Sequence, residues 1–368
     1  MDDTTSNADL YFSNATPANT YTPEYSYYSE YPGEMGGGPF YTIVFLVFIG
    51  IILVSVAGNS LVIFIVLRYR NMRISVTNFY IMNVALSDVV YTLFCMPITS
   101  YLFLSYYWIF GEFLCKFFSI LQPVATVQVT CTTLTVMTVD RYYVIISPLQ
   151  SRQTRTIPRA AVISVAVWIF SFIVHIPSGV LYRIHIHEEH PYCNLPEGAG
   201  RGYLIFLFLS TYFIPLTIIG ICYGLILSHL WKLSRNGSSK ETSVQTATKK
   251  WKTTKIVLTV ILLFALCWLP IHIFNIWESM QTDASNIHNS WLVACIHTFS
   301  LCLAYANSCI NPFVYALAGT SFRKHIDRLS PWSAKRRGKA PNSTTKYSLQ
   351  KNDTSRTEPT LMSHSTHL

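Results

Sequence analysis

Seven stretches of the chain are almost unbroken apolar runs: 41–67, 77–102, 114–147, 158–181, 203–231, 253–279 and 290–317. At 1.5 Å of rise per residue, each is long enough to cross a hydrocarbon layer of roughly 30 Å as a helix. Backbone N–H and C=O groups inside lipid have no water to bond, so such a run must satisfy them internally. The pattern predicts an all-α membrane protein, a seven-transmembrane helix bundle. Each run also carries one polar or helix-distorting feature. The first has Gly58-Asn59, the second "NVALSD" ending at Asp88, and the third ends in Asp140-Arg141-Tyr142. The fourth has Trp168, the fifth Pro215 and then Tyr223, the sixth "FALCWLP" (264–270), and the seventh "NSCINPFVY" (307–315). Beyond them "TSFRKHIDRL" (320–329) is amphipathic and basic, the pattern of a short eighth helix lying on a membrane surface. The expected division is a disordered polar tail (1–40), the bundle (41–319), the amphipathic helix (320–329) and a second disordered tail (330–368).

Composition agrees. The 368 residues are 51% hydrophobic and 12% charged, where a soluble chain carries about a quarter charged residues. The net charge of +9 is unevenly placed. Residues 1–40 hold no Lys or Arg, only Asp2, Asp3, Asp9, Glu24, Glu30 and Glu34. Basic residues cluster after the first run (Arg68, Arg70, Arg73), the third (Arg152, Arg155, Arg159), the fifth (Lys232 to Lys252) and the seventh (Arg323 to Lys339). The alternate loops hold only Lys116, Arg183 and Arg201. The positive-inside rule then puts the N-terminus outside and the C-terminus inside, as an odd number of spans requires. The excess charge is a topological bias with some attraction to anionic membrane lipid, not a nucleic-acid footprint.

Residues 1–40 lack the apolar core of a signal peptide, so the first helix is expected to act as its own insertion signal. Asn14-Ala15-Thr16 is an N-glycosylation sequon on the outer side, expected to be used. Tyr25, Tyr27, Tyr28 and Tyr31 stand among acids; a flexible polar tail and tyrosine sulfation both fit. Of nine cysteines, seven lie in the apolar runs and read as small buried hydrophobes. Cys115, at the outer start of the third helix, and Cys193, in the outer loop before the fifth, face the oxidising side and are expected to pair.

Taken in order, one per helix, these features resemble the rhodopsin-like (class A) G-protein-coupled receptors over roughly residues 40–329. Within that class the chain is most similar to the kisspeptin, galanin and allatostatin-A receptor group. The stretches that carry this are "TNFYIMNVALSD" (77–88), "WIFGEFLCKF" (108–117), "LTVMTVDRYYV" (134–144), "PLQSRQTRTIPRA" (148–160) and "LAYANSCINPFVYALAGTSFRK" (303–324). Residues 148–160 and Gln122 favour the kisspeptin type, and with it a Gq-class G protein. "CWLPIHIFNIW" (267–277) is closer to galanin receptors, which implies a Gi-class partner. The resemblance implies a plasma-membrane receptor for an extracellular neuropeptide, acting through a heterotrimeric G protein.

The same resemblance assigns roles. A carboxylate at mid-bilayer costs roughly 3 kcal/mol on insertion scales, so Asp88 is a functional residue by default. With Asn59, Thr130, Asn307, Ser308 and Asn311 it implies a pocket for an allosteric Na⁺, the only cofactor expected. The activation switch comprises Asp140, Arg141, Tyr142, Tyr223, Phe264, Trp268, Pro270, Pro312 and Tyr315. Asp140 restrains Arg141 at rest, and Pro270 kinks the sixth helix. Three departures stand out. Residues 246–255 contain no acid, so a second partner for Arg141 is missing and a leakier resting state is expected. No Cys lies beyond Cys309 to take a palmitoyl anchor. The interval from Cys115 to Arg141 holds one residue more than the class pattern, near "LQPVATVQ" (121–128), which predicts a π-turn and puts the direction of Gln122 and Val124 in question.

Residues 116–139 lack an acid to pair with an amine ligand, and 290–317 lack a Lys to hold retinal. Outer acids (Glu112, Glu188, Glu189, Glu197, Glu278 and Asp283) would steer a cationic ligand. A basic, C-terminally amidated peptide fits, with Gln122, His272, Asn275, Trp277, His297 and Tyr305 as candidate contacts. "HIHEEHPYC" (185–193) lacks the spacing of a zinc helix and reads as an exposed hairpin. No nucleophile elbow or paired intramembrane aspartates mark an enzyme, and no repeat symmetry marks a transporter. In the C-terminal tail Ser343, Thr344, Thr345, Thr354, Ser355 and Thr357 are candidate sites for receptor kinases and arrestin recruitment. Thr366-His367-Leu368 has the form of a PDZ ligand.

Overall fold

The computed structural model describes residues 38–105, 107–187, 189–196, 200–235, 241–280 and 291–329. Asn14, the N-terminal tyrosines, Glu188, Glu197, Asp283, the tail Ser/Thr sites and Thr366–Leu368 lie outside them. Among the described residues seven helices are long and apolar enough to span a membrane. They are α1 (Pro39–Arg68), α2 (Val76–Ser105), α3 (Gly111–Ile146), α4 (Ile157–Leu181), α5 (Gly200–Lys232), α6 (Glu241–Met280) and α7 (Trp291–Ala318). A separate ten-residue helix, α8 (Thr320–Leu329), follows. Short helical turns at Arg70–Arg73 and Pro148–Thr154 begin the links that follow α1 and α3. Observed ends fall close to those expected, except that α6 begins at Glu241, ahead of the apolar run. Hydropathy reports only the part of a helix in lipid, and a polar extension leaves no mark in it.

Local chemistry explains the starts. Pro39 and Pro158 occupy first-turn positions, where a missing N–H costs nothing. Thr156 accepts the Arg159 N–H as a side-chain cap of α4. Among the described residues three π-turns interrupt the helices, at Tyr91–Cys95 in α2, Val124–Gln128 in α3 and Leu209–Phe213 in α5. The α3 turn is where the extra residue predicted it. The other two were not foreseen. Each begins a few residues before a proline, and widening the helix relieves the clash of the Pro97 ring with the Leu93 carbonyl and of Pro215 with that of Thr211.

Large apolar residues point outward, among them Ile43, Leu53, Val162, Ile173, Ile221 and Leu266, while Ser55, Asn59, Asn83, Asp88, Ser171, His175 and Ser178 are buried. Lipid gives apolar side chains no reason to prefer the interior, so small and polar residues line the helix contacts. Asn83 of α2 donates to Thr133 of α3 at 2.9 Å and accepts the Trp168 indole of α4 at 3.1 Å. Gly58 lets α1 approach α7 so closely that a Cβ there would lie 2.9 Å from Pro312 Cγ.

The hairpin after α4 pairs β1 (Arg183–His187) antiparallel with β2 (His190–Asn194), and Glu189 takes φ 69° in its two-residue turn. Cys193 is disulfide-bonded to Cys115 with a Cα separation of 5.7 Å. This is the pair expected. The Trp108 backbone N–H donates to Pro191 O at 2.8 Å and its indole to Gly111 O at 2.9 Å, fixing β2 beside the start of α3.

Candidate ligand cavity and switch

A cavity of about 280 Å³ lies between α3, α4, α5, α6 and α7, next to Cys193. Gln122, His272, Asn275, His297 and Tyr305 all line it, as do Trp108, Tyr203 and Trp268. Gln122 Nε2 donates to Tyr305 Oη at 3.3 Å across the space. The His272 ring sits among Phe208, Tyr212 and Trp268, with centroids 5.1 to 6.1 Å away. Tyr212 Oη donates to Ala265 O at 2.9 Å, five residues before Pro270. Tyr182, just past α4, also lines the cavity; burial, with Tyr203 adding, pushes its hydroxyl up to about 12, so it stays a neutral donor.

Trp277 is a correction. It is 39% exposed and borders a separate apolar groove with Leu269, Ile273, Leu292 and Ile296. Two residues past Asn275 is about 200° around a helix, which turns the indole away from the cavity. Val124 is fully buried against Val129 and Val167 and does not reach the cavity. Glu112 is paired with Lys116 at 2.6 Å, which offsets its charge. Glu278 lies near the end of α6, three residues past Asn275, with a buried Oε1 that has no partner among the described residues.

Asp88 is 0% exposed. Its Oδ2 accepts from Asn311 Nδ2 at 3.0 Å, and the Ser308 hydroxyl bonds the same carboxylate. Asn59 donates to Ser308 O at 2.9 Å and Ser55 O at 3.0 Å. Thr130 faces Ser87, with 3.4 Å between hydroxyls. Asp88 Oδ1, Asn59 Oδ1 and both polar atoms of Asn307 are buried without a partner among the described residues. Each such atom costs about 1–3 kcal/mol. Three hard oxygens, one of them anionic, suit a small hard cation.

At the opposite end of α3, Arg141 is 5% exposed and donates to Asp140 Oδ2 at 2.6 Å. Arg155 Nε donates to Asp140 Oδ1 at 2.8 Å. Thr77 Oγ1 of α2 accepts from both guanidinium groups, from Arg155 at 2.6 Å and also from Arg141. Tyr223 Oη donates to Thr254 O at 3.3 Å and ties α5 to α6. Phe264 and Trp268 lie a turn apart with tilted rings, at 6.2 Å between centroids, and Pro312 and Tyr315 are buried in α7. Tyr142 is half-buried, edge-on to Tyr143.

Residues 58–315, with this geometry, match the family model of the 7 transmembrane receptor (rhodopsin family). The chain belongs to that family. G-protein coupled receptor 54 of Oreochromis niloticus is 37% identical to the receptor over 308 residues, 80% of either chain. The KiSS-1 receptor of Homo sapiens is 35% identical over 304 residues, 80% of this chain and 76% of its own. Galanin receptor type 1 of Rattus norvegicus is 33% identical over 288 residues, 77% of this chain and 80% of its own. The family consists of multi-pass membrane receptors, not enzymes.

The receptor brings together five of six predicted cavity residues, and links Asp88 to Asn311 and Ser308, and Ser308 to Asn59, while Thr130 sits against Ser87 rather than the carboxylate. Sequence reasoning missed Thr77, Arg155 and Ser87. Arg155 was read only as a topological charge, and nothing local in a Thr or a Ser signals a partner three or more helical turns away in another element. Residues 246–255 hold no acid; at this end of the bundle Thr77 accepts from Arg155 and Arg141, and Tyr223 donates to Thr254 O.

Proposed function

We propose that the receptor sits in the plasma membrane with its N-terminus and disulfide outward. It binds a basic, C-terminally amidated peptide of the kisspeptin type and activates a Gq-class heterotrimeric G protein. The observation that carries this reading is the cavity of polar and aromatic side chains beneath the disulfide-held hairpin, directly above Trp268. The names of the most similar relatives support the ligand class. The Glu278 oxygen near the end of α6, without a partner among the described residues, favours a cationic ligand group beside that end of the helix. Peptide pressing on Trp268 and His272 would favour a form in which α6 pivots at Pro270. Arg141 then leaves Asp140 for the G protein. A ligand acts only through unequal affinity for the two forms, so bound G protein must tighten peptide binding in return.

Asp88, with Asn59, Asn307, Ser308 and Asn311, would hold a Na⁺ that supplies positive charge to a buried carboxylate and favours the resting form. The tail Ser/Thr residues would serve receptor kinases and arrestin, α8 the lipid surface, and Thr366–Leu368 a PDZ protein. A galanin- or allatostatin-type ligand with Gi coupling is the second reading, carried by residues 267–277. The receptor, expressed in cells and given a panel of amidated peptides, is expected to raise calcium with kisspeptin-type peptides, more weakly when sodium replaces N-methylglucamine. A fall in cyclic AMP with galanin-type peptides, and no calcium response, supports the second reading. Silence to every peptide removes both.

A further inference from the structure

We propose that Ser87 is a positioning residue of the ligand cavity: its hydroxyl holds the widened turn of α3 and so sets where Gln122 meets Tyr305. The inference rests on the receptor reading above. Val129 N–H bonds back five residues to Val124 O, and ordinary α-helix resumes at Val129. The return to four-residue spacing passes over one carbonyl, that of Ala125, leaving it without a backbone donor. Ala125 and Ser87 are both 0% exposed, so water does not compete for that oxygen. Ser87 Oγ donates to it at 2.7 Å.

The turn governs what lies before it. Gln122 precedes the π-turn by two residues; its carbonyl accepts from Thr126 Oγ1 at 2.6 Å and its amide reaches Tyr305 at 3.3 Å. One residue more or less in the turn would swing this end of α3 by about 100°. The turn therefore decides that Gln122 and Pro123 line the cavity while Val124 packs toward α4. On its other side Ser87 Oγ lies 3.4 Å from Thr130 Oγ1, and the next residue in the chain is Asp88. One hydroxyl thus ties the widened turn of α3 to α2.

The test compares wild type with S87A, and S87T with S87V, in membranes. Thr and Val differ only by hydroxyl against methyl, which isolates the hydrogen bond should S87A fail to reach the surface. Two measurements are made. The first, without ligand, is hydrogen–deuterium exchange of the segment 118–132. The second is the affinity of an amidated kisspeptin peptide. The variants lacking the hydroxyl are expected to exchange faster in that segment and bind the peptide about tenfold more weakly. S87T should behave as wild type. Unchanged exchange, or unchanged affinity in a receptor that binds the peptide, overturns the proposal. Failure of wild type to bind the peptide counts against the receptor reading instead, and the exchange measurement still decides the role of Ser87.

Discussion

Asp140 holds two guanidinium groups at once, and its side chain keeps 13% exposure while Arg155 keeps 27%. Partial exposure lets solvent screen the Arg155 pair, which limits it to about 1 kcal/mol. That is still about a fivefold shift in an equilibrium between resting and active forms. Arg155→Ala is therefore expected to raise ligand-free guanine-nucleotide exchange about three- to fivefold, read as GTPγS binding at equal surface expression. Arg155→Lys should recover only part of the restraint, because an ammonium lacks the fork that bonds Asp140 and Thr77 together. Equal basal exchange in all three would remove Arg155 from the resting lock.

Among the elements, α1 and α7 depend on a single missing methyl group. A Cβ at Gly58 would stand 2.9 and 3.0 Å from two atoms of the Pro312 ring, which cannot rotate aside. Gly58→Val should separate the helices at a cost of about 1–3 kcal/mol, seen as a lower Tm of purified receptor. Gly50 of the same helix has nothing within 4 Å, so Gly50→Val is the matched control and should leave Tm unchanged. The π-turns show how far element detail was legible. The α3 turn could be counted, because Cys115 and Arg141 frame it. The turns before Pro97 and Pro215 could not, because a proline alone does not say whether the helix kinks, breaks or widens.

For the molecule as a whole, the disulfide joins residues 78 apart and fastens the hairpin beside the cavity. Closing a loop of that size is worth about 2–4 kcal/mol, mainly through the unfolded chain. Replacing Cys115 and Cys193 together by Ser should lower Tm and weaken peptide binding by more than about tenfold, since β2 would lose its covalent tie to α3 and keep the weaker Trp108–Pro191 bond and Tyr107 ring contacts. Binding at full strength in the double variant would mean that the hairpin takes no part in forming the cavity.

Helix number, approximate ends and the buried polar residues were determined along the chain itself. Transfer into lipid is local and adds up within a run, and a polar residue in such a run has few places to go but inward. Which apolar face turns inward was not determined there, because lipid and helix contacts are alike to an apolar side chain; Trp277 shows the consequence. Only the packed bundle decided that Ser87 meets Ala125, that Thr77 meets Arg141, and that Thr77 meets Arg155. Those partners lie 38, 64 and 78 residues apart, and they meet only once each helix has its rotation and depth.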